Sequence, residues 1–132
     1  MAYVLDAFAL TAYFEKEPGY EKVQELLTSA ASGGRKLLLS TVNWGEIYYV
    51  THRTYGVDQA NNIAQIIGTF PIEIVDIDLE LAKQAALFKA SRKLSYADCF
   101  AAALAKVRRG TLLTGDKEFK ALESEVKVQW LH

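Results

Sequence analysis

Five short apolar runs alternate with longer stretches of helical periodicity, and this alternation constrains the fold more than any other feature. The runs are Tyr3-Val4-Leu5, Leu37-Leu38-Leu39, Ile72-Glu73-Ile74-Val75, Thr111-Leu112-Leu113-Thr114 and the alternating Val126, Val128 and Trp130. Strands joined through helices pair in parallel, because a parallel neighbour needs a crossover of a dozen or more residues. A parallel sheet is covered on both faces. The expected architecture is therefore a three-layer α/β/α sandwich around a central, mostly parallel sheet. Helices are expected over 7–14, from Pro18 to Ser32, from an Asn43 cap to Gly56, over 58–69, from Asp78, from a Ser95 cap to about Arg109, and in a short segment carrying Phe119 and Leu122. Their expected apolar stripes include Val23, Leu26, Leu27 and Ala30; Trp44, Ile47, Tyr48 and Tyr55; and Leu79, Ala82 and Ala86.

Composition narrows the class. The chain has 132 residues, 51% hydrophobic and 23% charged, which excludes intrinsic disorder and fits one globular domain over 1–132. A single cysteine, Cys99, excludes an internal disulfide and disfavours a cysteine-ligated zinc. No apolar stretch approaches the ~20 residues of a membrane span. The start of the chain lacks a basic segment ahead of an apolar one, so a cytoplasmic location is expected. The net charge of -1 excludes binding to nucleic acid by bulk charge. Any hold on a polyanion must come from a local patch or from bound metal.

Ligands of open parallel sheets bind outside the carboxyl ends of the strands. Asp6 closes the first run, Asp116 follows the fourth, and Glu46 lies early in the helix after the second. Asp98 lies in the first turn of the helix before the fourth run, so its placement at that rim is less direct. Each acid also has a structural reading. Ser95 to Asp98 and Asn43 to Glu46 have the spacing of helix caps, and Asp6 and Asp116 can cap the helices that follow them. Asp98 discriminates best. Ala97 to Ala105 reads Ala-Asp-Cys-Phe-Ala-Ala-Ala-Leu-Ala, and Asp98 is the only charge between Lys93 and Lys106. A carboxylate on a helix that is apolar nearly all round must be paired, neutralised or bound to a cation. Cys99 beside it is expected in the core.

Four segments in order resemble the PIN domain family, and most closely its VapC-type toxin ribonucleases. They are Val4-Leu5-Asp6, Ser40-Thr41-Val42-Asn43-Trp44-Gly45-Glu46, Ser95-Tyr96-Ala97-Asp98-Cys99-Phe100-Ala101-Ala102-Ala103 and Leu113-Thr114-Gly115-Asp116-Lys117-Glu118-Phe119. The resemblance covers essentially the whole chain. It departs at one place: Ala7-Phe8 follows Asp6 where such proteins usually carry a small hydroxyl residue, while the acid after Asp116 is kept as Glu118.

The resemblance implies a metal-dependent endoribonuclease, the toxin of a type II toxin–antitoxin pair, forming a homodimer and inhibited by a small antitoxin. A catalytically silent PIN-like scaffold is the alternative. A phosphatase with a second aspartate two residues past the first is disfavoured, since Phe8 stands there. Asp6 and Asp98 are assigned as primary metal ligands, Asp116 as a further ligand, and Glu46 as the residue that positions or deprotonates water. Asn43 and Thr114 are candidates to contact carboxylate or phosphate. A carboxylate-only donor set selects Mg²⁺ or Mn²⁺. Two such ions would move the net charge from -1 to +3 at the rim where RNA must dock. Lys89, Arg92 and Lys93 either grip phosphate or form a solvated face, the latter favoured. Tyr48, Tyr49 and Tyr55 are expected to pack in the core, with base stacking or a dimer face as alternatives.

Overall fold

The structure, a computed structural model, describes residues 2–132. In chain order the elements are β1 (Tyr3–Leu5), α1 (Ala7–Glu15), α2 (Tyr20–Ala31), β2 (Leu37–Ser40), α3 (Thr41–Tyr55), α4 (Val57–Thr69), β3 (Ile72–Val75), α5 (Leu79–Ser91), α6 (Tyr96–Val107), β4 (Thr111–Thr114), a 3₁₀ helix (Lys117–Leu122) and β5 (Lys127–Trp130). The strands form one sheet in the order β3-β2-β1-β4-β5. Every neighbouring pair is parallel, so the sheet is wholly rather than mostly parallel. β1 is only three residues long, yet it holds the centre, with Val4 beside Leu38 on one flank and Leu112 on the other.

Alternation along the strands divides the core into two layers. Val4, Leu38 and Leu112 point to a cluster with Leu81, Ala85, Phe88 and the apolar body of α6. Leu5, Leu37, Leu39 and Leu113 point the other way, to a cluster built by α1, α2, Ile47 of α3 and Ile63 and Ile67 of α4. The three layers expected from the chain are therefore present. From Cys99 to Ala105 every residue of α6 is buried, which is why this helix carries almost no charge.

Three local expectations shift. α2 begins at Tyr20 rather than at Pro18, with Gly19 as its cap at φ 92. α3 begins at Thr41, not at an Asn43 cap. Ser40 is the cap, at φ -72 and ψ 153, and its Oγ accepts the Asn43 N–H at 3.1 Å. The buried stripe of α5 is Leu81, Ala85 and Phe88; of the expected Leu79, Ala82 and Ala86, only Ala82 packs against the core, partly buried. Both stripes have helical spacing, and the one carrying the large Phe88 ring removes more apolar surface from water. Leu79 is left 85% exposed.

Nor do the α3 tyrosines fill the core. Tyr48 stacks on Trp44 at 5.4 Å between ring centroids and donates to Asn61 Oδ1 at 2.7 Å. Tyr49 is exposed beneath the Arg53 guanidinium, 5.0 Å from the ring centroid. Tyr55 is exposed and its hydroxyl donates to Glu15 Oε1 at 2.8 Å, tying the end of α3 to the end of α1.

Candidate active site

The chain runs from β1 to β2 on one side of the sheet and reaches β4 on the other side of β1, so the connection reverses direction between β1 and β4. Crevices at such a reversal, outside the carboxyl ends of the strands, are where ligands of this sheet type sit. Asp6 follows β1 and Asp116 lies just beyond β4, so the two acids flank that crevice. Asp98 arrives by a different route. α6 hands over to β4 through residues 108–110, so its other end lies a helix length away, at the rim where β1 and β4 finish. Twelve residues span about 18 Å, which suits the crossing. Glu46, on the second turn of α3, comes in from the end of β2.

Asp6 is the floor of the site, 1% exposed. Its Oδ1 caps α1 by accepting the Ala9 N–H at 2.8 Å, and its Oδ2 accepts the Thr114 hydroxyl at 2.5 Å. Thr114 Oγ1 in turn accepts the Asp116 N–H at 3.0 Å. Asp116 Oδ1 accepts the Glu118 N–H at 3.0 Å, capping the 3₁₀ helix. Ser95 Oγ caps α6 by accepting the Asp98 N–H at 3.1 Å. The capping roles of Asp6, Asp116 and Ser95 are real, and they hold the acids in place without supplying a positive charge.

Asp98, Asp116 and Glu118 each offer a carboxylate oxygen, and these oxygens all lie within 4.8 Å of one another. Asp6 is outside that triplet but close enough to feel the charges of Asp98 and Asp116. Burial pushes the Asp6 carboxyl from 3.8 up to about 7; the bonds from Thr114 and Ala9 oppose the rise, and Asp98 and Asp116 add to it. Burial likewise pushes Asp98 up to about 7, with repulsion from Asp116 and then Glu46 adding to it. Glu46 is raised by burial, opposed by the Asn43 side chain and reinforced by Asp116. Among the described residues, Glu46 Oε1 is a buried side-chain oxygen with no hydrogen-bond partner. Glu46, Asp98 and Asp116 line a cleft of about 320 Å³ whose walls, among the described residues, include no lysine, arginine or histidine.

The four acids named from the chain thus share one neighbourhood. Of the two candidate polar contacts, Thr114 bonds a site carboxylate, and neither lies at the surface. Asn43 and Thr114 are both 0% exposed. Asn43 accepts the Ser40 hydroxyl at 2.7 Å and donates to the Ala97 carbonyl at 3.0 Å, so it fastens α3 to the first turn of α6. Thr114 orients Asp6 and Asp116. Both are positioning residues, because their polar atoms are already occupied.

Glu118 joins the cluster more closely than the spacing implied. Its signal was its place two residues beyond Asp116. Phe8, Thr11, Glu17 and Val50 also line the cleft and were not anticipated there. Lys89 and Arg92 lie outside it. Lys89 Nζ donates to the Leu94 carbonyl at 2.7 Å, and Arg92 binds Glu125 Oε2 at 2.7 Å and the Ala121 carbonyl at 3.1 Å. Both are anchored in the structure, while Lys93 is exposed.

A larger cleft, about 720 Å³, runs between α1, α3 and α4. Its walls include Phe14, Ile63 and Ile66, with Glu15 and Glu17 among the lining residues. It meets the acid cleft at Thr11, Glu17 and Ile47. No helix is long and apolar enough to cross a membrane among the described residues.

Comparison with curated protein sequences gives no match. Solved structures give several. The fold is similar to that of VapBC2 from Rickettsia felis bound to a promoter DNA fragment, with a TM-score of 0.76 at 20% identity over 98% of both chains. It is similar to DNA-bound VapBC from Salmonella typhimurium, at 0.77 and 15% identity over 100% of this chain and 99% of that one. A third likeness is to Mycobacterium tuberculosis VapC20, a Sarcin-Ricin loop cleaving toxin, at 0.70 and 18% identity over 92% and 94%. The PIN domain model matches residues 3–125, nearly the full length and a range that contains all four acids. With the sheet reversal, the acid crevice and that match in agreement, the chain belongs to the PIN domain family.

Proposed function

We propose that the protein is a divalent-metal-dependent endoribonuclease and the toxin of a toxin–antitoxin pair. The observation that carries this reading is the uncompensated negative site. Three carboxylates converge within 4.8 Å, Glu46 Oε1 is buried without a partner, and no cationic side chain lines the cleft. An unpaired buried polar atom costs about 1–3 kcal/mol, and more when charged. A scaffold has no use for such a cost, whereas a cation removes it. The donors are all carboxylate oxygens, which fit a hard ion such as Mg²⁺ or Mn²⁺.

Asp98, Asp116 and Glu118 would hold the ion, with Asp6 as a neighbouring carboxylate. An ion held there would supply charge neutralisation and polarisation of the phosphodiester. The remaining work falls to the chain's own groups. Thr114 fixes the Asp6 and Asp116 carboxylates through the bonds described above. Asn43 fixes α6, and with it Asp98. Glu46 Oε1, partnerless and raised by burial, is suited to accept a proton from the water that attacks phosphorus. As the P–O bond to the leaving ribose oxygen breaks, that oxygen takes a proton from solvent, and Glu46 releases to solvent the one it accepted.

The wide cleft beside the acids suits an antitoxin segment. Its apolar floor of Phe14, Ile63 and Ile66 takes apolar side chains, and Glu15 and Glu17 offer a partner to a basic one. The relatives solved as VapBC complexes support this assignment, as does the toxin named for cleaving the Sarcin-Ricin loop for the RNA substrate. A homodimer in the cytoplasm completes the proposal. Mapping cleavage ends on total RNA from cells expressing the protein tests it. New ends should appear with the wild-type chain and vanish with Asp98→Asn, and EDTA should stop cleavage by the purified protein. A wild-type chain that leaves RNA intact with Mg²⁺ or Mn²⁺ present would refute it.

A further inference from the structure

We propose that Phe8 is a specificity-determining residue that stacks on an unpaired nucleobase next to the scissile phosphate of single-stranded RNA. The proposal rests on the nuclease reading and goes beyond it. Phe8 lies on the first turn of α1, two residues past Asp6, and is 41% exposed. It lines the acid cleft together with Glu46, Asp98 and Asp116. An exposed phenyl ring among carboxylates can neither pair with them nor neutralise them. What it offers is a flat apolar face beside the reacting groups.

Gly115 supplies an independent observation. A Cβ there would stand 2.4 Å from Phe8 Cε1 and 3.1 Å from Cδ1 and Cζ. The φ of Gly115 is not in the left-handed region, so the backbone conformation does not demand glycine. The ring, as it is seated, leaves no room for a Cβ. Phe8 is therefore seated against the main chain between Thr114 and Asp116 and presents its remaining surface to the cleft. Val50, also 41% exposed and lining the cleft, extends the apolar surface. Unpaired bases are held by such faces because every base has a π-surface, and stacking needs no cationic side chain. That property matters in a cleft whose charged side chains are all acids.

The test uses a labelled single-stranded RNA containing a site that the wild-type protein cuts, prepared intact and with single abasic residues around that site. Cleavage is followed for wild type, Phe8→Ala, Phe8→Leu and Phe8→Trp. Base–aromatic stacking predicts that Phe8→Ala and Phe8→Leu raise KM about 5- to 150-fold with kcat little changed, while Phe8→Trp retains the wild-type KM. One abasic position should raise the wild-type KM by a similar factor and leave Phe8→Ala unaffected. Leucine keeps apolar volume above Gly115, so a packing role alone predicts that Phe8→Leu behaves as wild type, and that result overturns the proposal. Abasic sensitivity persisting in full in Phe8→Ala overturns it too. If Phe8→Ala does not fold, the leucine and tryptophan variants carry the comparison. A wild-type chain that cuts no RNA overturns the nuclease reading and this proposal together; an active chain indifferent to Phe8 overturns this proposal alone.

Discussion

Asp98→Asn should stabilise the metal-free protein while removing its response to metal. The carboxyl of Asp98 is raised from 3.8 to about 7, first by burial and then by Asp116 and Glu46. A carboxyl raised in the folded state works against folding once the unfolded chain ionises. The penalty begins above pH 4, grows with pH, and is complete above pH 7. At about 1.4 kcal/mol per tenfold, the full rise is about 4 kcal/mol for a sequestered group. Asp98 is only partly buried, and solvent screening reduces this to about 2 kcal/mol. Asparagine has the same shape and no charge. In EDTA at pH 8 the variant should therefore melt about 7 °C above wild type, using about 2.1 cal/mol/K of unfolding entropy per residue. At pH 5 the advantage should shrink to about 1 kcal/mol. With Mg²⁺ at about 100 times its Kd the wild type gains about 2.7 kcal/mol and the order reverses. Thermal melts of both proteins at the two pH values, with EDTA and with Mg²⁺, provide the measurement. A variant no more stable than wild type at pH 8 in EDTA would show that Asp98 carries no such repulsion.

Other outcomes follow from the same geometry. Thr114→Val keeps the shape but deprives buried Asp6 and the Asp116 N–H of their partner; urea unfolding at pH 8 should show a loss of about 2–4 kcal/mol. Asn43→Ala removes the link from α3 to the Ala97 carbonyl and leaves Ser40 without its acceptor, so a loss of about 2–3 kcal/mol should accompany a weakened metal response. Affinity for Mg²⁺ or Mn²⁺ should tighten as pH rises through about 7, because bound cation requires Asp6 and Asp98 ionised; calorimetry in buffers of different ionisation enthalpy should detect proton release on binding that fades above pH 8.

The chain itself determined the layer order. Apolar runs of three to five residues spaced by helices admit one arrangement, and the alternation within Tyr3-Val4-Leu5 or Leu37-Leu38-Leu39 already assigns side chains to opposite faces. The nearly uncharged 97–105 segment likewise declared a buried helix with one acid on it. Tertiary structure decided what short-range pattern leaves degenerate. Ser40 and Asn43 both have capping chemistry, and only the end of β2 selects Ser40. Two stripes on α5 have helical spacing, and only packing against α6 prefers the one with Phe88. Asn43 and Thr114 read as candidate contacts to carboxylate or phosphate, and folding buries both against partners distant in the chain, Ala97 and Asp6. The convergence of Asp98 with Asp116 and Glu118 depends on the length of α6 carrying its first turn back to the rim. The seat of Phe8 on Gly115 depends on β1 and β4 lying side by side. Periodicity governs which face a residue takes, whereas proximity across the sheet is set by strand order.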